Sequence, residues 1–158
     1  MEAARPALPD DHAACARLLE EARDQARGLR GGQELLATCS LAPVPLSVDE
    51  QWVAEHCIGA QRVLLVGTIA DVVVGVGTGG VTMRGAEQVG TVECCYVESA
   101  ARGVGVGSAL ADALLGWFAA RGCAAVDAPA LPGDRSMKQL FESQGLSARA
   151  LILHRRLR

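Results

Sequence analysis

Between Arg62 and Val97 the chain passes through three runs rich in β-branched residues, and after Gly103 its hydrophobic period changes from strand-like to helix-like. Arg62 to Ile69 and Val72 to Met83 are joined by Ala70-Asp71, which predicts an antiparallel hairpin. A turn at Arg84-Gly85-Ala86-Glu87 returns the chain as a third strand, Val89 to Val97. From Gly103, Leu110, Leu114, Trp117 and Phe118 recur at helical spacing until Gly122, which sits where a C-terminal cap belongs. A meander followed by an amphipathic helix restricts the fold to an α/β (α+β) class with a mixed, mostly antiparallel sheet.

The flanks complete the pattern. Arg5 to Leu8 reads as an opening strand, and Asp10 and Asp11 stand at the cap of a helix reaching about Ala26. Gly28 to Pro45, with Gly31-Gly32, Pro43 and Pro45, reads as a loop. Ser47, with Glu50 three residues on, is placed to cap a helix from Val48 to about Cys57. Ala124 to Ala128 is a short strand, Asp134 to Gln144 a helix closed by Gly145, and Leu146 to Leu157 a final strand. About four helices are expected, and no linker divides residues 1–158, so a single domain is expected.

A chain of 158 residues buries roughly 70% of its unfolded surface in one core. Only 3% of its residues are aromatic, so that core must come from small side chains brought close together. A net charge of -3 does not attract phosphate backbones, and nucleic acid is not an expected partner. The N-terminus has no charged segment followed by an apolar core, and no apolar run approaches the roughly 18 residues that span a bilayer. A cytoplasmic protein with no membrane partner is expected. Six cysteines without a C-x-x-C pair read as reduced thiols, with Cys94 and Cys95 facing opposite sides of one strand. His12, His56 and His154 have no metal spacing, so no metal is expected. Lys138 is the only lysine beside 14 arginines, a bias expected of a GC-rich bacterial genome.

Two glycine-rich segments compete for a nucleotide role. Gly75-Val-Gly77-Thr-Gly79-Gly80 fits G-x-G-x-x-G but leads into Val81-Thr82-Met83 and a turn, without the helix N-terminus that holds a pyrophosphate. Glycines of a twisted strand or bulge are the better reading. Arg102-Gly103-Val104-Gly105-Val106-Gly107-Ser108 lies instead between a strand and a helix. There the first-turn N–H groups have no partner within the helix and point, with the positive end of its dipole, at whatever lies in front.

With its flanks, this segment resembles the central signature of the GNAT superfamily of acyl-CoA-dependent N-acyltransferases. The strand is Cys95-Tyr96-Val97, the turn Glu98 to Ala101, and Arg102-Gly103-Val104-Gly105-Val106-Gly107 follows the pattern R/Q-x-x-G-x-G/A. The resemblance extends over nearly the whole chain, from Arg5-Pro6-Ala7 and Asp11 to Asp134–Leu146. It implies a sheet splayed at the acyl-CoA site, between Val92–Val97 and Ala124–Ala128, with acetyl-CoA as co-substrate. Backbone groups at Cys95, Tyr96 and Val97 would hold the pantetheine arm. The Cys95 N–H would polarise the thioester, and Arg102, Gly103, Val104, Gly105, Val106, Gly107 and Ser108 would bind the pyrophosphate. A primary amine, on a small molecule or a protein, would attack directly, with no acyl-enzyme. The resemblance also allows a homodimer. Asp134 and Phe141 fall where the family carries an asparagine and often a tyrosine near the cofactor; Phe141 cannot donate a proton to a leaving thiolate.

Glu93 is the candidate base, on the central strand with the parity of Cys95 and Val97; a solvated sheet-face carboxylate is the alternative. Tyr96 is expected on the other face, as core or cleft wall. Asp127 suits a strand-end cap or an acceptor amine. The loop Arg30–Pro45 and the segment Ser147–His154 are expected to wall the acceptor site. Arg27, Arg30 and Arg149 read as an attraction for an acidic acceptor or as solvated surface. Two rivals stand beside this reading. One is a Rossmann-type dinucleotide module using Gly103–Ser108 with Asp127 on the ribose. The other is a non-catalytic acyl-CoA-binding relative.

Overall fold

The computed structural model describes residues 1–38 and 47–158. Glu2–Pro6 forms β1, His12–Arg27 α1, Gly32–Thr38 α2 and Glu50–His56 α3. The meander follows as β2 (Arg62–Ile69), β3 (Val72–Arg84) and β4 (Glu87–Val97), then α4 (Val106–Ala120), β5 (Ala125–Asp127) and α5 (Arg135–Ser143). The hairpin turn holds Ala70 and Asp71 at φ of 47° and 67°, a primed geometry that matches the strand twist. The sheet order is β1-β2-β3-β4-β5, antiparallel through β4 and parallel only between β4 and β5. A doubly wound parallel sheet, which the Rossmann rival requires, is therefore not this fold.

Several expectations are corrected. The opening strand is Glu2–Pro6 rather than Arg5 to Leu8, because Pro9–Asp11 winds into a 3-10 turn ahead of α1. Asp11 does not cap α1 with its side chain; it accepts from the Leu8 N–H at 2.8 Å and from Arg5 at 2.6 Å, tying β1 to α1. The Arg5 guanidinium holds the Asp11 carboxyl below the usual carboxylate range. The expected loop contains α2; residues 39–46 of it, including Cys39, Pro43 and Pro45, lie outside the described residues. Asp49, not Ser47, caps α3 by accepting from the Trp52 N–H at 2.8 Å. Leu146 to Leu157 is not a strand; from Leu146 to Arg158 the chain has no regular structure. The described α-helices number five, where about four were expected.

The sheet divides two apolar layers. On one face Val63, Leu65, Val92 and Cys95 pack with Leu110, Leu114 and Phe118 of α4 and Phe141 of α5. On the other, Leu64, Val66 and Val76 meet Cys15, Leu18 and Leu19 of α1 and Val53 of α3. The scarcity of aromatics is resolved by a row of glycines beneath α4. A Cβ on Gly67 would meet Val106 at 2.5 Å, one on Gly75 or Gly77 would meet Leu110 or Leu114 at 2.9 or 3.2 Å, and one on Gly90 would meet the Phe118 ring at 2.5 Å. The helix sits directly on the sheet backbone because these positions carry no side chain. The Gly75–Gly80 run is thus strand β3, as expected, with a register shift between Thr78 and Gly79.

Candidate active site

Two features of the fold meet at the C-terminal half of β4. The first is an open edge. β5 pairs with β4 only at Val89, Gly90 and Thr91, so among the described residues no strand lies against Val92–Val97 on that side. The second is the start of α4. Gly105 is its N-cap at φ 101°, in the left-handed region that a side chain disfavours, with no side-chain cap bond. The Gly105 carbonyl takes the first helical bond, from Ala109 at 3.0 Å. A Cβ built on Gly103 or Gly105 meets nothing within 4 Å, so the space in front of this helix end is open. The helix begins at Val106, three residues later than expected, leaving Gly103–Gly105 as the approach to it.

Arg102 is turned back from that opening. Its Nε donates to the Val97 carbonyl at 2.8 Å, its Nη2 to Gln25 of α1 at 2.7 Å, and its guanidinium lies 5.4 Å from the Tyr96 ring centre. Tyr96 lies on the α1 side, as expected, and its hydroxyl donates to Glu21 at 3.3 Å. Burial, with Glu21 beside it, raises the Tyr96 phenol above its ordinary value. Val106 is buried in the α4 layer and Val104 is half-exposed. Asp134 caps α5, accepting from the Met137 N–H and the Ser136 hydroxyl at 3.1 Å each, while Phe141 is core.

The position of Glu93 corrects the parity argument. Gly79 pairs with Val92 and Thr78 with Cys94, leaving Glu93 as the extra residue of a β-bulge. Val92 and Cys95 both join the α4 layer, whereas Glu93 ion-pairs at 2.6 Å with Arg62, the β2 residue that alternates with Leu64 and Val66 on the α1 and α3 face. Glu93 therefore lies on the face opposite Cys95. The pair is well shielded, with 18% of Arg62 and 13% of Glu93 exposed. Cys94 and Cys95 do face opposite sides, and burial raises both thiols, Cys95 to about 12. Neither is a thiolate near neutral pH.

Asp127 ends β5 beside Thr91 and accepts from Arg149 at 2.8 and 2.6 Å and from Arg84 at 2.6 Å. Arg149, then Arg84, lower its carboxyl to about 2 against the opposing effect of burial. A carboxyl so depressed contributes stability in full above its ordinary value of 3.8 and loses it as pH falls through about 2. The melting temperature of Asp127→Asn should therefore lie a constant interval below that of wild type above pH 5, and the interval should shrink below pH 4; an interval independent of pH would show that the ion pairs contribute nothing.

Sequence reasoning did not find Arg62, Arg84, Gln25 or Glu21, each of which pairs with a candidate from a distant element. Parity within β3 sets Arg84 on the face of Gly80 and Thr82, but the β3–β4 bulge that brings Glu93 to Arg62 leaves no mark in the sequence, and for Gln25 and Glu21 there was no signal. Of the expected acceptor walls, Arg149 reaches Asp127, while His154 and Arg156 reach Glu34 of α2 at 3.7 and 3.3 Å. Among the described residues no cluster of His, Cys, Asp or Glu could hold a metal ion, and no helix is long and apolar enough to cross a membrane.

A mostly antiparallel sheet that opens beside a glycine-led helix is the fold of known acetyltransferase structures. An aminoglycoside acetyltransferase from an uncultured soil metagenomic sample, in complex with sisomicin, shares 13% identity at a TM-score of 0.71, covering 99% of this chain and 95% of that one. Glucosamine-6-phosphate N-acetyltransferase from Arabidopsis thaliana shares 17% at 0.65, covering 100% and 99%. A transcriptional regulator from Bacillus halodurans C-125 shares 19% at 0.69, covering 98% and 99%. No curated protein matches the sequence significantly. The model of the acetyltransferase (GNAT) family matches residues 33–146, and the chain belongs to that family.

Proposed function

We propose that the protein is an N-acetyltransferase that moves an acetyl group from acetyl-CoA to a primary amine, residues 1–158 acting as one domain. The observation that carries this reading is the conjunction of the open β4 edge with the uncapped N-terminus of α4. Gly103–Ser108 would hold the pyrophosphate through first-turn N–H groups, and the Val92–Val97 edge would supply backbone partners to the pantetheine arm. The co-substrate supplies an activated acyl carbon, and the Cys95 N–H is the candidate donor to the oxyanion that forms there. Two similar folds belong to acetyltransferases of amino sugars, which supports an amine acceptor.

The bulge divides the labour of β4. Its edge serves the cofactor, whose binding loop leads into the α4 layer, and the bulge turns Glu93 to the opposite face, from which an amine would approach. In that position Glu93 accepts the amine proton directly or through water, and Arg62 fixes its carboxylate. Neither Phe141 nor the raised thiol of Cys95 is suited to protonate the departing thiolate, which leaves unassisted or takes its proton from water or another group.

Glu93→Gln should lower kcat near pH 7 by roughly a hundredfold while leaving acetyl-CoA affinity little changed. Free-thiol release against an amine panel gives the rate, and calorimetry the affinity; an unaltered rate removes Glu93 as base. The non-catalytic alternative is tested by the same assay, since it predicts acetyl-CoA binding without thiol release in the presence of any amine.

A further inference from the structure

Four residues form one row across the sheet. Arg62 pairs with Gly80, Gly80 with Thr91 and Thr91 with Asp127, so all four share a level and the α1 and α3 face, with Gly80 leaving the row open between Arg62 and Thr91. At a strand spacing of about 4.8 Å the row is roughly 14 Å wide. Glu93 stands two residues beyond Thr91, roughly 7 Å along β4. The row ends in three charges: Asp127 between Arg84, from the end of β3, and Arg149, from the segment after α5.

The carboxylate of this trio is spent and the guanidiniums are not. Both Asp127 oxygens accept from arginine, and its side chain is 26% exposed. Arg84 and Arg149 are 56% and 61% exposed and give three hydrogen bonds to Asp127, out of five N–H groups on each guanidinium. Asp127 thus holds two arginines side by side with donors facing solvent and a residual positive charge. The chain beyond strengthens that sign, since Ser147–Arg158 contains Arg149, Arg155, Arg156 and Arg158 and no acidic side chain. A planar guanidinium matches a carboxylate or phosphate through two parallel bonds, and a pair already pinned loses little freedom on binding one.

We propose that Arg84 and Arg149, held by Asp127, form an oxyanion subsite for the acceptor, so that the substrate is a short amine carrying a carboxylate or phosphate. The proposal rests on the acetyltransferase reading, with the amine at Glu93 and the anion at the end of the row. Its dimensions select small acceptors, because Glu93 stands two residues along and one strand across from Asp127, a backbone separation of about 8 Å.

Matched amines test it. O-phosphoethanolamine against ethanolamine reads a phosphate, β-alanine against propylamine reads a carboxylate, and putrescine replaces the anion by a cation. With CoA saturating, calorimetry should find at least tenfold tighter binding for one or both anionic members than for their partners, and kcat/KM with acetyl-CoA should follow the same order. In Arg149→Gln and Arg84→Gln that preference should fall toward one, through KM rather than kcat. Arg121→Gln, which removes the same charge from the far side of the sheet, should leave the preference intact. Equal affinity within both pairs, a preference for putrescine, or a preference that survives loss of Arg84 and Arg149 overturns the proposal. CoA binding with amine turnover but no anion preference defeats the subsite alone, whereas failure to bind CoA defeats the acetyltransferase reading; the calorimetric comparison, repeated without CoA, still reads the arginines.

Discussion

Gly105→Glu will weaken CoA binding at least a hundredfold, a loss of about 2.7 kcal/mol. A Cβ at Gly105 meets no protein atom within 4 Å, so the expected effect comes from a carboxylate placed where the pyrophosphate is proposed to bind and from the φ of 101°. A left-handed residue other than glycine costs about 1–2 kcal/mol, and this part must be separated from the charge. Gly105→Asn supplies the control, because asparagine tolerates that conformation and carries no charge. Calorimetry should show Asn retaining measurable affinity and Glu losing it, while thermal unfolding shows similar small losses of stability in both. Equal CoA affinity in wild type and Gly105→Glu would mean that the pyrophosphate lies elsewhere.

The second large effect is on folding. Gly90→Ala should destabilise the protein by about 3 kcal/mol, lowering the melting temperature by roughly 6–12 °C, because the added carbon falls 2.5 Å from two atoms of the fully buried Phe118 ring. Gly116→Ala, in α4 with Phe118 but with nothing within 4 Å of the new carbon, should instead stabilise by up to about 1 kcal/mol. Combining Gly90→Ala with Phe118→Leu should cost less than the sum of the two single changes, since the smaller side chain vacates the space the methyl enters. A purely additive double variant would show that the ring is free to move aside.

The meander and α4 were legible because their signals are local: β-branched runs, a two-residue turn and helical spacing act over a few residues each. β2 agrees with its expected limits at both ends, Arg62 and Ile69. The glycine-led approach to α4 was legible for the same reason. What could not be read is whatever depends on pairing between elements. Parity placed Glu93 with Cys95, and a single unpaired residue in the β3–β4 ladder reverses that assignment without marking the sequence. The final strand failed because an apolar run alone does not supply a neighbour to pair with. Leu151, Ile152 and Leu153 have the composition of a strand yet are 79–90% exposed. α2 was hidden by Gly31-Gly32, a pair that reads as a breaker but here leads directly into a helix beginning at Gly32.

The glycine row under α4 also works as a set of axial stops. Val106, Leu110, Leu114 and Phe118, at four-residue intervals, rest over the vacancies at Gly67, Gly75, Gly77, Gly79 and Gly90, so sliding or rolling the helix would disturb these seats together. Val106 and Phe118, the first and last of these side chains, are about 18 Å apart along the helix. The location of the first-turn N–H groups is consequently governed at the opposite end, by how deeply Phe118 settles between Gly79 and Gly90. A change there that preserves the fold but shifts the helix along its axis would detune the proposed phosphate-binding end without touching any residue of the loop.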